Sequence, residues 1–159
     1  MTVWKRLLLG STLVLLAPVV LAARSGADVS LGTWKLDLAK STFSSLTPPK
    51  SETRTYSAAP GGTHIVIDTE AADGKNNKTE VTIAYNGKVH PVTDNPDYDA
   101  ASARRLSRYE TVADLIRGGK VVGSLRRLVA QDGKTMSINL KLTKADGTTE
   151  TAMSVYERQ

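Results

Sequence analysis

The chain has 159 residues with a formal net charge of +5, and 40% of its residues are hydrophobic while 23% are charged. This length and composition predict one globular domain and argue against wholesale disorder. The absence of cysteine excludes a disulfide framework, a thiol nucleophile, an iron–sulfur cluster and a thiolate zinc site.

The first segment has the pattern of a secretory signal peptide. Lys5 and Arg6 precede an apolar stretch over 7–23, which ends in small residues. A positive start, an apolar middle and a small-residue end are typical of a cleaved leader. We therefore predict a signal peptide over 1–22, a mature chain over 23–159 and a periplasmic or secreted location in a bacterium. The alternative, a membrane anchor, is disfavoured because the stretch has 17 residues and a span needs about 20.

The mature chain alternates tight-turn signals with short strand-like runs. The turn signals are Pro60-Gly61-Gly62, Asp73-Gly74, Asn86-Gly87, Gly118-Gly119, Asp132-Gly133 and Asp146-Gly147. Glycine and asparagine tolerate the positive φ that hairpin turns require. Apolar–polar alternation, as in 81–85 and 136–142, predicts strands with one buried face. The sequence predicts an all-β protein, an antiparallel up-and-down β-barrel of about 8–10 strands, because an open sheet leaves unpaired edges. A two-sheet sandwich is the alternative.

Residues 100–117 fit two patterns. Five residues recur there at helical spacing, namely Ala103, Leu106, Tyr109, Ala113 and Ile116. With Asp99 as a cap, they predict a helix. The other interpretation is a strand over 101–106, a bend near Ser107 and a second strand over 109–116. The residue pattern alone supports both.

The sharpest functional inference concerns Arg126 and Arg127. A two-residue loop at Asp132-Gly133 places Arg127 opposite Ile138, whereas a three-residue loop places Arg126 there. One of the two arginines therefore shares a sheet face with the apolar side chains of 136–142. If that face is the inner one, a guanidinium group points into a largely apolar interior.

A buried cation needs a partner because its desolvation costs several kcal/mol. A two-residue loop at Gly118-Gly119 places Glu110 opposite Arg127, which predicts a structural ion pair. The functional alternative is that the arginine receives the carboxylate or phosphate of a ligand. Arg104 and Arg105 form a similar pair one strand earlier, and one of them is likewise expected to point inward.

Several short segments resemble the lipocalins and, in particular, a group of exported bacterial lipocalin-like proteins. They are Gly32-Thr33-Trp34-Lys35-Leu36, Lys40-Ser41-Thr42-Phe43, Asp132-Gly133-Lys134-Thr135-Met136 and Val155-Tyr156-Glu157-Arg158. The resemblance implies that Trp34 plugs the barrel base and that Arg158 packs on it through a cation–π contact. It also favours strands over 100–117. The middle lipocalin motif, Thr-Asp-Tyr, is matched only by Asp97-Tyr98.

The leading functional hypothesis is an exported, lipocalin-like protein that binds a small, mostly apolar ligand, with or without an anionic end, in the barrel interior. The candidate ligand-binding residues are Arg127, Arg126, Arg105, Tyr85 and Tyr109. One alternative is a packed barrel that acts through its surface as an envelope interaction or inhibitor module. Another is a barrel enzyme that uses His64 or His90. Neither histidine accompanies a catalytic motif, so we expect no enzymatic activity and no cofactor.

The expected partner is a small hydrophobic or amphipathic molecule. Loss of Lys5 and Arg6 with the leader lowers the net charge from +5 to +3, and the sequence shows no nucleic-acid motif. We therefore expect no nucleic acid, and no stable membrane span after cleavage. Asp94, Asp97 and Asp99 offer oxygen ligands for calcium, but aspartate also favours turns, so we predict no metal site. The sequence leaves the oligomeric state open.

Overall fold

The computed structural model describes residues 28–45 and 47–159. The predicted signal peptide and its cleavage site lie outside the described residues and stay predictions. The strands are β1 (Gly32–Ser44), β2 (Ser51–Ala59), β3 (Gly62–Glu70), β4 (Asn76–Ile83), β5 (Asn86–Thr93), β6 (Ala100–Arg105), β7 (Glu110–Arg117), β8 (Lys120–Val129), β9 (Thr135–Thr143) and β10 (Thr149–Arg158). Within these described ranges, no helix is long and apolar enough to cross a membrane.

The ten strands form one closed barrel. Each strand pairs antiparallel with the next strand in sequence, and β1 also pairs with β10. The prediction of an all-β, antiparallel up-and-down barrel of 8–10 strands is confirmed, and the two-sheet sandwich is wrong. Closure gives every described strand a neighbour on both sides, which removes the open edges that a ten-strand meander would otherwise expose.

Residues 100–117 form two strands rather than a helix. Ala101 pairs with Leu115 and Ala103 pairs with Ala113, so the small and apolar side chains of β6 and β7 face the interior together. The helical interpretation places Leu106 on a buried face, but Leu106 lies in the turn between the strands and is 59% exposed. The strand interpretation therefore describes this segment.

Alternation along each strand fills the interior with two groups of apolar side chains. The first consists of Trp34, Tyr56, Val129, Met136, Ile138 and Tyr156. The second consists of Ile83, Val92, Ala101, Ala103, Leu115 and Leu142. Burial of such side chains stabilises the fold by about 25 cal/mol per Å² of apolar surface.

Trp34 closes one end of the barrel. Its side chain is fully buried, and its indole N–H donates a hydrogen bond of 2.7 Å to the carbonyl of Ser30. The guanidinium carbon of Arg158 lies 4.1 Å from the Trp34 ring centroid. Arg158 also donates hydrogen bonds of 2.5–2.6 Å to the backbone carbonyls of Val29, Leu31 and Gly133. These bonds hold the segment before β1 across this end, which we call the Trp34 end.

The up-and-down order assigns each loop to one end of the barrel. The turns after β2, β4, β6 and β8 lie at the Trp34 end, because those strands run toward it. The loops after β1, β3, β5, β7 and β9 lie at the opposite end. Gly118 and Gly119, between β7 and β8, have φ angles of 57° and 77°, as a type I′ hairpin turn requires.

Candidate functional site

The β8–β9 pairing decides which of the two adjacent arginines enters the barrel. Arg127 pairs with Ile138, the register predicted from a two-residue loop at Asp132-Gly133. Alternation then points Arg127 inward, where it is 5% exposed. Arg126 points outward, and its side chain is 64% exposed. Arg127 alone of this pair reaches the interior.

The ion pair predicted between Glu110 and Arg127 is wrong. Near the Gly118-Gly119 turn the register is the predicted one, but it shifts by one residue between Leu115 and Ile116. Glu110 consequently pairs with Leu128 and points outward, where it accepts a 2.6 Å hydrogen bond from Nε of Arg126. The extra residue on β8 thus moves the expected partner of Arg127 to the barrel exterior.

The guanidinium group of Arg127 is held by neutral side chains. Its Nη2 donates hydrogen bonds of 3.1 Å to the hydroxyls of Tyr85 and Thr111. Its central carbon lies 4.9 Å from the ring centroid of Tyr56 and 5.4 Å from that of Tyr85. The Nε of Arg127 is buried and has no hydrogen-bond partner among the described residues.

The carboxylates nearest the barrel interior pair with other arginines. Glu52 pairs with Arg54 and Asp28 with Arg105, while Glu110 pairs with Arg126 on the exterior. Within the described part of the chain, Arg127 forms no ion pair. Arginine stays charged in proteins, so the structure places a positive charge without an ion-pair partner inside the barrel, although its field, with that of Arg105, also lowers the pKa of Asp28.

A small cavity lies against Arg127. Its volume is about 70 Å³, enough for roughly five water molecules at about 10–15 Å³ each. Its walls are mostly apolar and include Ile65, Val81, Ile83, Ala103, Leu115 and Leu125. The tyrosines Tyr56, Tyr85 and Tyr98 also line it. The interior is therefore neither completely filled nor as wide as ligand pockets of about 300–1,000 Å³.

Arg54 is a second arginine at the cavity wall, and sequence reasoning missed it. Its Nε donates to Glu52 over 2.6 Å and to the hydroxyl of Tyr156 over 3.0 Å. The Tyr156 hydroxyl in turn donates to Glu52 over 2.6 Å. Burial raises the pKa of Tyr156, with a further rise from the charge of Glu52 and an opposing effect of Arg54. Because Glu52 pairs with Arg54, Arg127 is the arginine of the cavity wall that forms no described ion pair.

The sequence pattern only weakly indicates that Arg54 faces the interior. Arg54 shares its strand face with Tyr56, which is an interior residue. Threonines on both sides of Arg54 suit either face of a strand, so the apolar–polar alternation that identifies an inner face is absent from the start of β2.

The other predicted ligand-binding residues are divided between the cavity and the surface. Tyr85 lines the cavity beside Arg127. Arg105 lies at the Trp34 end, where it pairs with Asp28 over 2.6 Å and its guanidinium lies 4.5 Å from the Tyr85 ring centroid. Tyr109 lies in the turn between β6 and β7 and is not part of the cavity wall. The structure brings Arg127 and Tyr85 together, with Arg105 behind Tyr85.

Asp28 anchors the segment before β1 to the barrel wall. It accepts hydrogen bonds from the backbone N–H and hydroxyl of Ser30 and from the hydroxyl of Thr63. Burial by itself raises the pKa of Asp28, but the Ser30 hydrogen bonds and the charge of Arg105 outweigh it and lower the pKa below its ordinary value. Asp28 is thus a charged partner for Arg105 near neutral pH.

Neither histidine lines the cavity. His64 contacts the hydroxyl of Thr82 over 3.1 Å and lies 3.6 Å from Glu80. His90 lies 3.4 Å from the backbone N–H of Ala84. The cavity therefore offers no imidazole as a general base.

The acidic loop after β5 forms a turn. Its backbone N–H groups at Asp97 and Tyr98 donate to the side-chain oxygen of Asn95, which is an Asx-turn. Over residues 28–45 and 47–159, no group of three or more histidines, aspartates or glutamates is arranged to hold a metal ion.

Comparison with known proteins gives only remote structural likeness. A scan against protein-family models and a search of curated proteins find no match. One similar solved structure is the siderocalin Ex-FABP, described as functioning through dual ligand specificities. It is 16% identical, the match covers 84% of this chain and 75% of that chain, and the TM-score is 0.38. This likeness is too remote to inform the site.

Proposed function

We propose that this protein is an exported binding protein that takes a small, mostly apolar molecule with an anionic group into its barrel, where Arg127 holds the anionic group. The observation that carries the proposal is the guanidinium of Arg127, which is buried, unpaired by any described carboxylate and left with a free Nε donor. It is a binding protein rather than an enzyme.

The energetics of a buried arginine favour a role in binding. A buried cation without an ion-pair partner weakens folding by its desolvation, and the hydroxyls of Tyr85 and Thr111 offset only part of that cost. A carboxylate at Nε restores a charge-assisted hydrogen bond, worth about 1.5–3 kcal/mol. Arg127 thus favours an anion at this position.

The walls of the cavity select the rest of the ligand. They are aliphatic and aromatic apart from Arg54, Thr111 and Arg127, so they favour an apolar body over a polar one. The volume of about 70 Å³ favours a compact molecule or the end of a short chain.

Matched arginine variants test this proposal. Hexanoate and hexan-1-ol, which differ only at the polar end, are titrated calorimetrically into the protein and into Arg127→Met and Arg126→Met variants. The protein is expected to prefer the acid by about tenfold or more. Arg127→Met is expected to lose that preference, whereas Arg126→Met, the same change one residue away, retains it. Equal preferences in the two variants would contradict the proposal.

A second candidate function is favoured by the small size of the cavity. A barrel with an interior this full suits a packed module that acts through its surface, as an envelope interaction or inhibitor protein. Under this candidate, neither hexanoate nor hexan-1-ol binds up to about 10 mM, and Arg127→Met leaves capture of a protein partner unchanged.

Export is proposed from the leader pattern of residues 1–22. Expression of the full chain in a bacterium, followed by fractionation and intact mass spectrometry, tests it. Cleavage after Ala22 or Ala23 and recovery from the periplasm or medium are expected. An uncleaved chain in the membrane fraction would support the anchor instead.

A further inference from the structure

The turn between β6 and β7 exposes a leucine among arginines at the Trp34 end. Leu106 is 59% exposed, and Arg104 and Arg108 beside it are also exposed. Tyr109 completes the turn half-buried, with its ring centroid 5.7 Å from the guanidinium of Arg108. An apolar tip surrounded by cations is an amphipathic surface that lies outside the barrel cavity.

The neighbouring turn between β4 and β5 adds a further cation. Asn86 pairs with Arg104 across β5 and β6. A Cβ atom on Gly87 would lie 3.3 Å from Cγ of Arg104, so the aliphatic part of that side chain lies against the turn. Lys88, the next residue, is exposed as well. We call Lys88, Arg104, Leu106 and Arg108 the basic rim.

The cations of the basic rim form no ion pair with the described carboxylates. Arg105 and Arg126, close by, are paired with Asp28 and Glu110. No described carboxylate forms an ion pair with Lys88, Arg104 or Arg108. The loops at the opposite end carry five aspartates, namely Asp73, Asp94, Asp97, Asp99 and Asp146, and three lysines, namely Lys50, Lys75 and Lys144. Those loops are therefore acidic on balance, in contrast to the basic rim.

We propose that the basic rim docks the barrel on an anionic phospholipid surface. Each exposed cation at such a surface raises affinity about fivefold, and an exposed leucine gains by entering the headgroup region. Arginine side chains bring apolar stems as well as charge to an interface. Docking by this rim turns the acidic loops away from the membrane. Docking by this rim does not depend on the ligand of the cavity.

Co-sedimentation with vesicles tests the electrostatic part. The probes are vesicles of phosphatidylcholine alone and of phosphatidylcholine with about 30% phosphatidylglycerol, at low and physiological salt. The protein is expected to sediment only with the anionic vesicles, and less at higher salt. Arg104→Gln/Arg108→Gln is expected to bind about 25-fold more weakly. The control Lys120→Gln/Lys141→Gln removes two other exposed charges, at the opposite end and on the side wall, and is expected to bind within twofold of the parent protein.

A leucine variant tests the apolar part. Leu106→Ser is expected to weaken vesicle binding several-fold without changing its salt dependence. Circular dichroism melts confirm that each variant is folded. The proposal is overturned if anionic vesicles do not bind at low salt, if the control weakens binding as much as the rim variant, or if Leu106→Ser binds as the parent does. Tighter binding to a single-stranded oligonucleotide than to anionic vesicles would also overturn it.

Discussion

At the scale of single residues, one position along β8 separates an interior charge from a surface charge. Arg126 and Arg127 are chemically identical, but alternation places the first in an exposed ion pair and the second inside the barrel. Their substitutions are therefore expected to have different effects on folding as well as on binding.

Arg127→Met is expected to leave the free energy of unfolding unchanged or to raise it by about 1–2 kcal/mol. Methionine has similar length and removes a buried charge whose desolvation costs several kcal/mol, which offsets the loss of the hydrogen bonds to Tyr85 and Thr111. Urea unfolding of the parent, Arg127→Met and Arg126→Met measures this. A loss above about 2 kcal/mol in Arg127→Met alone would indicate that the arginine is structural.

Arg158 is expected to be structural. Arg158→Ala removes three hydrogen bonds to backbone carbonyls and the contact with Trp34, and we expect it to lower the free energy of unfolding by about 3 kcal/mol. Arg126→Ala, which breaks an exposed ion pair, is the control and is expected to cost less than about 1 kcal/mol. Similar losses from both substitutions would contradict this role.

The carboxylate of Asp28 is expected to make stability depend on pH in the acid range. Its pKa in the folded protein is below the ordinary value of 3.8, so the folded state favours the ionised form. That stabilisation is fully present above about pH 4 and is lost as the pH falls through the folded pKa. Asp28→Asn is expected to cost about 1 kcal/mol at pH 7 and progressively less as the pH falls below 4. Urea unfolding of both proteins between pH 3 and 7 checks this; a constant difference would contradict it.

At the scale of strands, the junction of β4 and β5 is the weakest in the barrel. It contains two residue pairs, Glu80 with Thr93 and Val81 with Val92, whereas β2 and β3 form nine. We expect the amides of β5 to exchange with solvent faster than those of β2, because fewer ladder hydrogen bonds protect them. Hydrogen–deuterium exchange by mass spectrometry measures the difference, and equal protection of the two strands would contradict it.

Local chemistry was sufficient to predict the strands and the class of fold. Dipeptides such as Asn86-Gly87 and Gly118-Gly119 marked the reversals, and alternation marked the inner faces, because both depend on a few adjacent residues. The position of Arg127 opposite Ile138 followed from one turn and is confirmed.

The pairing of β7 with β8 beyond their register shift was not predictable from local residues. The register shift in β8 lies beside Gly123, where β8 approaches β9 closely: a Cβ atom on Gly123 would lie 2.5 Å from the carbonyl oxygen of Lys141. Nothing in the sequence around Gly123 distinguishes it from other glycines. The assignment of Glu110 to the interior failed for this reason, whereas the turn beside it was predicted correctly.

At the scale of the whole molecule, the cavity and the basic rim occupy different parts of one barrel. The volume of the cavity depends on how Tyr56 and Tyr98 pack against the apolar walls, which no strand pattern specifies. The contrast between the basic rim and the acidic loops also emerges only when the order of strands assigns each turn to an end. The sequence therefore predicts an arginine that faces an apolar interior. It predicts neither the volume of the cavity nor the difference in charge between the two ends of the barrel.

The central claim is that Nε of Arg127 receives the anionic group of a ligand, and NMR of the arginine side chains tests it most directly. The Nε–H resonance of Arg127 in ¹⁵N-labelled protein is assigned by its absence in Arg127→Lys and is followed during titration with hexanoate. A downfield proton shift that saturates with hexanoate and is absent with hexan-1-ol is predicted, while the Nε–H of Arg126 stays in place. Saturable binding of hexanoate that leaves the Arg127 resonance unmoved would contradict the account.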